Sequence, residues 1–157
     1  MLQYLTATRP DLMYGVSLIS RFMSCPTESH WLASKRILRY LKGTIELGIL
    51  YKKEGCTNLV TYADSDFAGD LDDRRSTSGF VFLLDSGAVS WSSKQQPVVT
   101  LSTTEAEYIA VASCACQCVW MRRVLEKLGH KEEKSTLIQC DNNSTIKISK
   151  NPVFHGS

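Results

Sequence analysis

Residues 59–66 read LVTYADSD, a short apolar and β-branched run that ends on acidic side chains. A run of this length predicts a buried strand over residues 59–63, with Asp64 at its carboxyl end. Residues 136–141 read TLIQCD and repeat the arrangement, with a second short strand that ends at Asp141. Ligands bind at the carboxyl ends of strands, so these two segments predict both the fold and the position of a site.

The segments around these strands predict the remaining elements of an α/β domain. They are strands over residues 79–84 and 88–91, a long helix from a cap at Ser102 or Thr103 to Gly129, and a short helix over residues 142–150. Turn residues 85–87 join the middle strands into an antiparallel hairpin. The predicted order is βββαβα, with helices packed on a mixed sheet.

Composition predicts a globular, intracellular protein. The chain has 157 residues, of which 43% are hydrophobic and 22% are charged, enough for one core with a small helical appendage. It contains no apolar run of about 18 residues, so no membrane partner is expected. The six cysteines lack the spacings of a zinc site and are expected to be reduced thiols.

Residues 1–48 predict a helical hairpin separate from the domain that residues 49–157 form. One helix of about 14 residues begins near Pro10 and ends near Cys25, and Thr27 caps a second helix that ends at Gly43. The apolar positions of the second helix are Trp31, Leu38, Leu41 and Ile45. Its basic positions are Lys35, Arg36, Arg39 and Lys42. Two interpretations of the basic residues stay open, a solvated helix face and a surface that contacts phosphates.

The acidic residues indicate a metal site. If the strands that end at Asp64 and Asp141 are parallel neighbours, the two carboxylates meet at one edge of the sheet. Glu105 and Glu107 lie in the first turn of the long helix about 200° apart, so at most one of them can join the pair. Each acid taken singly has an ordinary capping or strand-end role. Together, carboxylates without a histidine suit a hard cation such as Mg²⁺.

Several long motifs occur in a fixed order along nearly the whole chain. They are TRPDLMYGVSLISRFM (8–23), HWLASKRILRYLKGT (30–44), YADSDFAGDLDDRRSTSGFVFLLDSGAVSWSSKQQ (62–96), LSTTEAEYIAVAS (101–113), LIQCDNNSTI (137–146) and NPVFH (151–155). In this order they resemble the Pol polyproteins of copia-type LTR retrotransposons. Residues 1–48 resemble the thumb or connection segment of reverse transcriptase, and residues 49–157 resemble its RNase H domain.

The resemblance implies an RNase H-like fold and a nuclease that hydrolyses the RNA strand of RNA/DNA hybrids with two Mg²⁺ or Mn²⁺ ions. Asp64 matches the family's first carboxylate and Asp141 its third. The second stands in a Glu-apolar-apolar-Ala frame, which residues 107–110 fit, so Glu107 is the predicted ligand. Glu105 stays the alternative metal ligand, with a role in the first turn of the helix as its default.

The resemblance also implies nucleic-acid contacts. Thr103 and Thr104 match positions that touch the DNA backbone, and Asn142 is a candidate partner for an RNA 2′-hydroxyl. A polar and basic segment that leads into the hairpin is a further candidate and consists of Arg74, Arg75, Ser76 and Thr77. The implied partners are an RNA/DNA hybrid and the polymerase part of the same polyprotein, in a cytoplasmic virus-like particle or in the nucleus.

The sequence departs from the family after Asp141, where it contains no further Asp or Glu. The family's fourth carboxylate, last strand and last helix are therefore expected to be missing, with Asp66 and Asp70 the nearest substitute acids. His155 resembles a histidine that precedes the missing segment. A bare strand edge favours self-association. Two functions stay open, a metal-dependent endonuclease and a catalytically silent nucleic-acid-binding remnant or fragment of the polyprotein.

Overall fold

A computed structural model describes residues 2–52, 58–131 and 134–151 of the chain. The polypeptide divides into two compact units, residues 1–51 and 52–157, whereas the sequence placed a boundary between residues 48 and 49. The assignment of these units to a polymerase segment and a nuclease segment stays a prediction. His155 lies outside the described residues.

Within residues 2–51, the first unit is helical. Its elements are α1 over Leu2–Leu5, a 3-10 turn over Pro10–Leu12, α2 over Met13–Ser20 and α3 over Glu28–Gly43. Leu12 and Val16 are buried, and α2 packs against α3. The two helices approach closely at Gly15, where an added Cβ atom would lie 3.4 Å from Cδ1 of Ile37.

The first predicted helix differs from the observed one. It begins with the 3-10 turn at Pro10 and ends at Ser20, not near Cys25. Beyond Ser20 the chain makes tighter turns, in which the amides of Arg21, Phe22 and Met23 donate to carbonyls three residues earlier. Such turns commonly end a helix, because they satisfy its last carbonyl groups.

Helix α3 begins where the sequence predicts, and the amide of Thr27 donates to Nδ1 of His30, 3.0 Å away. Its predicted apolar face is wrong, because Trp31, Leu38 and Ile45 are exposed. The less exposed positions of the helix are His30, Ala33, Ser34, Ile37 and Leu41. Ile37 lies against Gly15 of α2, so the side of α3 that packs is rotated from the predicted one.

The second unit has the predicted order βββαβα. Its elements are β1 over Leu59–Ser65, β2 over Thr77–Leu84, β3 over Gly87–Gln95, α4 over Thr103–Lys127, β4 over Leu137–Gln139 and α5 over Asn143–Lys150. The sheet order is β3-β2-β1-β4, with β1 antiparallel to β2 and parallel to β4. The α/β class, the mixed sheet and the hairpin of β2 and β3 are therefore confirmed.

The core of this unit lies between the sheet and α4. Leu59 and Phe82 from the sheet pack with Cys114, Cys118 and Met121 from the helix. Cys114 and Cys118 stand four residues apart on one helix face, as expected of small buried thiols, and burial raises the pKa of Cys114 to about 12. Burying a side chain such as Phe82 contributes roughly 1.5–3 kcal/mol, and the shared core holds α4 against β1.

All four strands differ in length from the predicted ones, and the difference is largest for β3. Strand β3 extends to Gln95 because residues 92–95 continue the pairing with β2, whereas the apolar signal in the sequence ends at Trp91. Strand β4 has only three residues, Leu137–Gln139, and it is the outermost strand in the described sheet. Among the described residues, no helix combines the length and apolarity that a bilayer crossing requires.

Candidate metal centre

The ends of β1 and β4 bring two acids together. Three pairs of residues define the parallel register, and the last pair is Tyr62 with Gln139. Continued for two residues beyond the end of the ladder, the same register would place Asp64 beside Asp141. Both side chains are exposed, and Oδ1 of Asp64 accepts a hydrogen bond of 2.7 Å from the amide of Ser65. The predicted adjacency of the two strand ends is thus present.

Glu107 reaches the same place from the first turns of α4. Only 7% of the residue is exposed, because the helix packs on β1 at this point. Burial, which is the largest cause, together with the neighbouring Asp64 and Asp141 carboxylates raises the pKa of Glu107 to about 7. The backbone of Ser65 opposes the shift by hydrogen bonding. The structure therefore brings Asp64, Glu107 and Asp141 together, and their role as metal ligands stays a prediction.

Cys140 belongs to the same group and was not anticipated from the sequence. Its Sγ atom donates to Oε2 of Glu107 over 3.7 Å. One ligand atom from each of Glu107, Cys140 and Asp141 lies within 4.8 Å of the other two. Among the described residues Asp64 is not part of this group, and it is linked to Glu107 by a side-chain hydrogen bond. Burial raises the pKa of the Cys140 thiol. The signal in the sequence was the position of Cys140 directly before Asp141, at the end of a strand.

Glu105 has a different role from Glu107. Its Oε2 atom accepts a hydrogen bond of 2.7 Å from the amide of Leu101, and its own amide donates to Oγ of Ser102. Ser102 is the N-cap of α4, so these bonds satisfy amides at the start of the helix. Glu105 is exposed and lies outside the group of ligand atoms found among the described residues.

The two acids proposed as substitutes for a fourth carboxylate hold the loop after β1. Asp66 accepts a hydrogen bond from the amide of Thr77. Oδ1 of Asp70 accepts from the amides of Asp72 and Asp73, and its Oδ2 accepts from Nε2 of Gln95 at 3.1 Å. Both carboxylates are thus engaged in loop structure. In the part of the chain that the structure describes, neither is in the group around Glu107.

The polar segment before β2 corrects part of the predicted nucleic-acid surface. Ser76 is fully buried, and its Oγ accepts from the amide of Ala68 and lies 3.1 Å from Oγ1 of Thr100. Thr77 is buried as well. Neither side chain can reach a ligand at the surface, so both have structural roles. Arg74 is exposed, and Arg75 forms an ion pair of 3.5 Å with Asp73.

The remaining candidates lie near the start of α4 and α5. Thr103 is exposed, whereas the carbonyl of Thr104 accepts a hydrogen bond from the hydroxyl of Thr145. Asn142 caps α5, because its Oδ1 accepts from the amides of Ser144 and Thr145, each at 3.0 Å. The contacts of these residues with nucleic acid stay predictions.

The basic positions of α3 are all exposed: Lys35, Arg36, Arg39 and Lys42. Nζ of Lys35 lies 5.1 Å from the centre of the exposed Trp31 ring. A cation and an aromatic ring side by side suit either solvent or nucleic acid, so both interpretations stay open. The predicted self-association through the sheet edge is also untested, although Leu137 on β4 is 66% exposed.

Curated proteins similar to this chain include two long polyproteins and one protein of comparable length. The Retrovirus-related Pol polyprotein from transposon RE2 of Arabidopsis thaliana is 46% identical over 154 residues, which are 98% of this chain and 11% of that protein. The Retrovirus-related Pol polyprotein from transposon TNT 1-94 of Nicotiana tabacum is 42% identical over 151 residues, 96% of this chain and 11% of that protein. Secreted RxLR effector protein 161 of Plasmopara viticola is 47% identical over 117 residues, 74% of this chain and 82% of that protein.

The chain spans about a tenth of the length of the Pol polyproteins that it matches. No family model matches the chain. No solved structure matches it.

Proposed function

This chain belongs to the Pol polyproteins of copia-type retrotransposons, and from that premise we propose that its second unit is a metal-dependent RNase H-like endonuclease. Its proposed substrate is the RNA strand of RNA/DNA hybrids. The observation that carries the proposal is the convergence of Asp64, Glu107 and Asp141 from three separate elements. One of these acids, Glu107, is buried, so its ionised form costs free energy that a bound cation would offset.

The order of elements supports an RNase H-like fold. Three antiparallel strands come first, then a long helix crosses over, and a fourth strand pairs in parallel with the first. This connection sets the two strand ends side by side and leaves them open to solvent. The site is therefore accessible to a substrate as large as a nucleic-acid duplex.

The donor set fits divalent cations. The carboxylates of Asp64, Glu107 and Asp141 offer oxygen atoms, which Mg²⁺ and Mn²⁺ prefer. The thiol of Cys140 is a softer donor next to them, and Mn²⁺ accepts a mixed environment more readily than Mg²⁺. When bound, two such ions would supply a more acidic water molecule and charge stabilisation for the leaving oxygen.

The protein's own groups have distinct roles in this proposal. Asp64 and Asp141 are exposed at the strand ends and would face the scissile phosphate. Glu107 lies beneath them, and its pKa of about 7 means that it exchanges a proton near neutral pH. It would release that proton when a cation binds, since the cation favours the ionised carboxylate. The Cys140 thiol donates to Glu107 and limits the orientations of that carboxylate.

The substrate and cellular setting follow from the family and are part of the proposal. Exposed Arg74 and Thr103 are candidate contacts for the hybrid backbone, and Asn142 is a candidate for a 2′-hydroxyl. The other parts of the polyprotein would act with this domain in a cytoplasmic particle or in the nucleus.

The test is cleavage of a labelled RNA/DNA hybrid by the full chain in millimolar Mg²⁺ or Mn²⁺. The expected result is cleavage of the RNA strand, inhibition by a chelator, and loss of at least about a hundredfold in rate in Asp64→Asn and Asp141→Asn, since each removes a charged ligand. Glu105→Gln is the control, because it neutralises an acid of α4 that lies close to Glu107 in sequence and bonds only to the start of the helix. Equal cleavage by all variants would point to a contaminating nuclease and refute the proposal.

The exposed basic residues of α3 favour a second candidate function, binding of nucleic acid without cleavage. In that case the full chain binds hybrid with a strong dependence on salt, and added metal changes neither the affinity nor the RNA strand. The cleavage assay above separates the two candidates.

A further inference from the structure

The side chain of Gln96 joins the two elements that carry Asp64 and Glu107. Gln96 follows β3, and only 3% of the residue is exposed. The backbone amide of Gln96 donates to the carbonyl of Ser76 over 2.8 Å, and this bond fixes the backbone at this position. A buried amide side chain held in this way has few alternative orientations.

Nε2 of Gln96 lies within hydrogen-bonding distance of three oxygen atoms. They are Oγ of Ser65 at 3.2 Å, Oγ of Ser78 at 2.8 Å and the carbonyl oxygen of Ala106 at 2.9 Å. Ser65 directly follows Asp64 on β1, and Ala106 directly precedes Glu107 on α4. Ser78 pairs with Ser65 across the β1 and β2 ladder. The amide group therefore contacts the neighbours of two candidate metal ligands at once.

The orientation of the amide follows from its partners. A main-chain carbonyl can only accept, so the nitrogen and not the oxygen of the side chain must face Ala106. Oε1 is buried and has no hydrogen-bond partner among the described residues. A buried carbonyl in that state lowers stability, so stabilisation of the fold alone is a poor explanation for an amide at this position.

We infer that Gln96 is a positioning residue of the carboxylate centre, which holds the end of β1 and the first turns of α4 at the separation that joint metal binding by Asp64 and Glu107 requires. The inference rests on the proposed function. Gln96 touches neither metal nor substrate and acts through Ser65 and Ala106. Supporting groups around metal ligands typically contribute a factor of 10 to 100 in affinity or activity.

The experiment measures Mn²⁺ binding by the full chain, from the paramagnetic resonance signal of the free ion, together with thermal unfolding. Gln96→Met keeps the length and approximate volume of the side chain and removes its donor group. Its Mn²⁺ affinity is expected to fall roughly tenfold, the lower end of the range for supporting groups, because Gln96 contacts neighbours of the ligands.

Thr100→Val is the matched control, since it removes a buried hydrogen bond to Ser76 and touches neither Ser65 nor Ala106. It is expected to lower the unfolding temperature and leave Mn²⁺ affinity unchanged. Equal affinity of Gln96→Met and wild type, with wild type binding Mn²⁺, overturns the inference and leaves the proposed function intact. Equal weakening by Thr100→Val also overturns it, because any loss of stability would then have the same effect.

Absence of Mn²⁺ binding by the wild-type chain overturns both the proposed function and the inference, and it is recognised without any variant. If Gln96→Met does not fold, Ser65→Ala removes the contact of Gln96 with β1 and keeps its contact with Ala106, although it also removes the hydrogen bonds from the Ser65 hydroxyl to the carbonyls of Asp66 and Thr77. It is expected to weaken Mn²⁺ binding by a smaller factor in the same direction, and unchanged affinity in this variant also refutes the positioning role.

Discussion

The Cys140 thiol donates a hydrogen bond to the Glu107 carboxylate, with Sγ 3.7 Å from Oε2. Cys140 comes from the end of β4 and Glu107 from α4, so the bond joins two elements of the candidate metal centre. The thiol of Cys140 can be modified selectively, and its reactivity depends on the groups next to it. Its rate of modification can therefore be used to detect changes at the candidate metal centre.

A bound cation should protect Cys140 from alkylation. Mn²⁺ held by Glu107 and Asp141 would lie next to Sγ and restrict its access to iodoacetamide, since the ligand atoms are within 4.8 Å of one another. We expect millimolar Mn²⁺ to slow the alkylation of Cys140 severalfold, as measured by peptide mass spectrometry. The exposed Cys25 and Cys116 are internal references whose rates should not change. Equal protection of all three thiols would indicate a general effect of the metal on the reagent.

Stability of the metal-free protein should fall as pH rises. The folded chain holds the Glu107 proton more tightly than the unfolded chain does, because its pKa is raised from 4.5 to about 7. The contribution is complete below pH 4.5 and is lost as pH rises through about 7, with an upper limit of about 3 kcal/mol. Urea unfolding in chelator at about pH 5 and about pH 8 measures it.

Glu107→Gln is the control for this pH dependence, because its side chain stays neutral at every pH. Its free energy of unfolding should change less between the two pH values than that of the wild type. Excess Mg²⁺ should restore stability to the wild type at the higher pH and not to the variant. Identical pH profiles for the two proteins would contradict the assignment of the raised pKa.

Variants at Glu105 and Glu107 should have different effects, the first on stability and the second on metal binding. Glu105→Gln removes a negative charge from the start of α4 and should cost about 0.3–1 kcal/mol of stability, while Mn²⁺ affinity stays at the wild-type value. Glu107→Gln should weaken Mn²⁺ binding by at least about tenfold. Calorimetric titration and thermal unfolding of both variants provide the comparison. The opposite pattern would transfer the ligand role to Glu105.

The basic residues of α3 should contribute affinity for nucleic-acid duplexes that does not depend on base sequence. We expect a weaker salt dependence when glutamine replaces the four basic residues, Lys35, Arg36, Arg39 and Lys42. The slope of log affinity against log salt concentration should decrease in magnitude by about 3 if most of them contact phosphates. A matched variant neutralises four exposed bases of the second unit. They are Arg123, Lys127, Lys147 and Lys150.

Fluorescence anisotropy with an RNA/DNA hybrid at several salt concentrations measures both variants. A change in slope confined to the α3 variant supports phosphate contact by that helix. Equal slopes for the α3 variant and the wild type would assign the basic residues to an ordinary solvated surface.

The sheet and its acidic strand ends were predictable, because they depend on local signals. Apolar runs of strand length end at Asp64 and Asp141, and a helix longer than either strand separates them, which requires a parallel crossover. Their adjacency is therefore a consequence of topology. The choice between Glu105 and Glu107 rested on the family motif, and the structure adds the observation that Glu105 bonds to Leu101.

Contacts between distant parts of the chain were not predictable in the same way. Gln96 looks like a polar residue after a strand, and only tertiary packing brings its side chain to Ala106. Ser76 and Thr77 were expected at the nucleic-acid surface from the family resemblance, yet Ser76 is buried in a hydrogen-bonded loop and Thr77 is buried at the start of β2. The packed side of α3 was also missed, since the sequence pattern does not show that Ile37 meets Gly15 of the preceding helix.

The shortness of β4 has a consequence for local opening of the domain. Only three residues, Leu137–Gln139, align with β1, so few backbone hydrogen bonds resist transient separation of the two strands. Amide hydrogen exchange should therefore be faster in β4 than in β2, which is paired on both sides. A cation bound by both Asp64 and Asp141 would hold the ends of β1 and β4 together. Cation binding should therefore slow amide exchange most at residues 137–139.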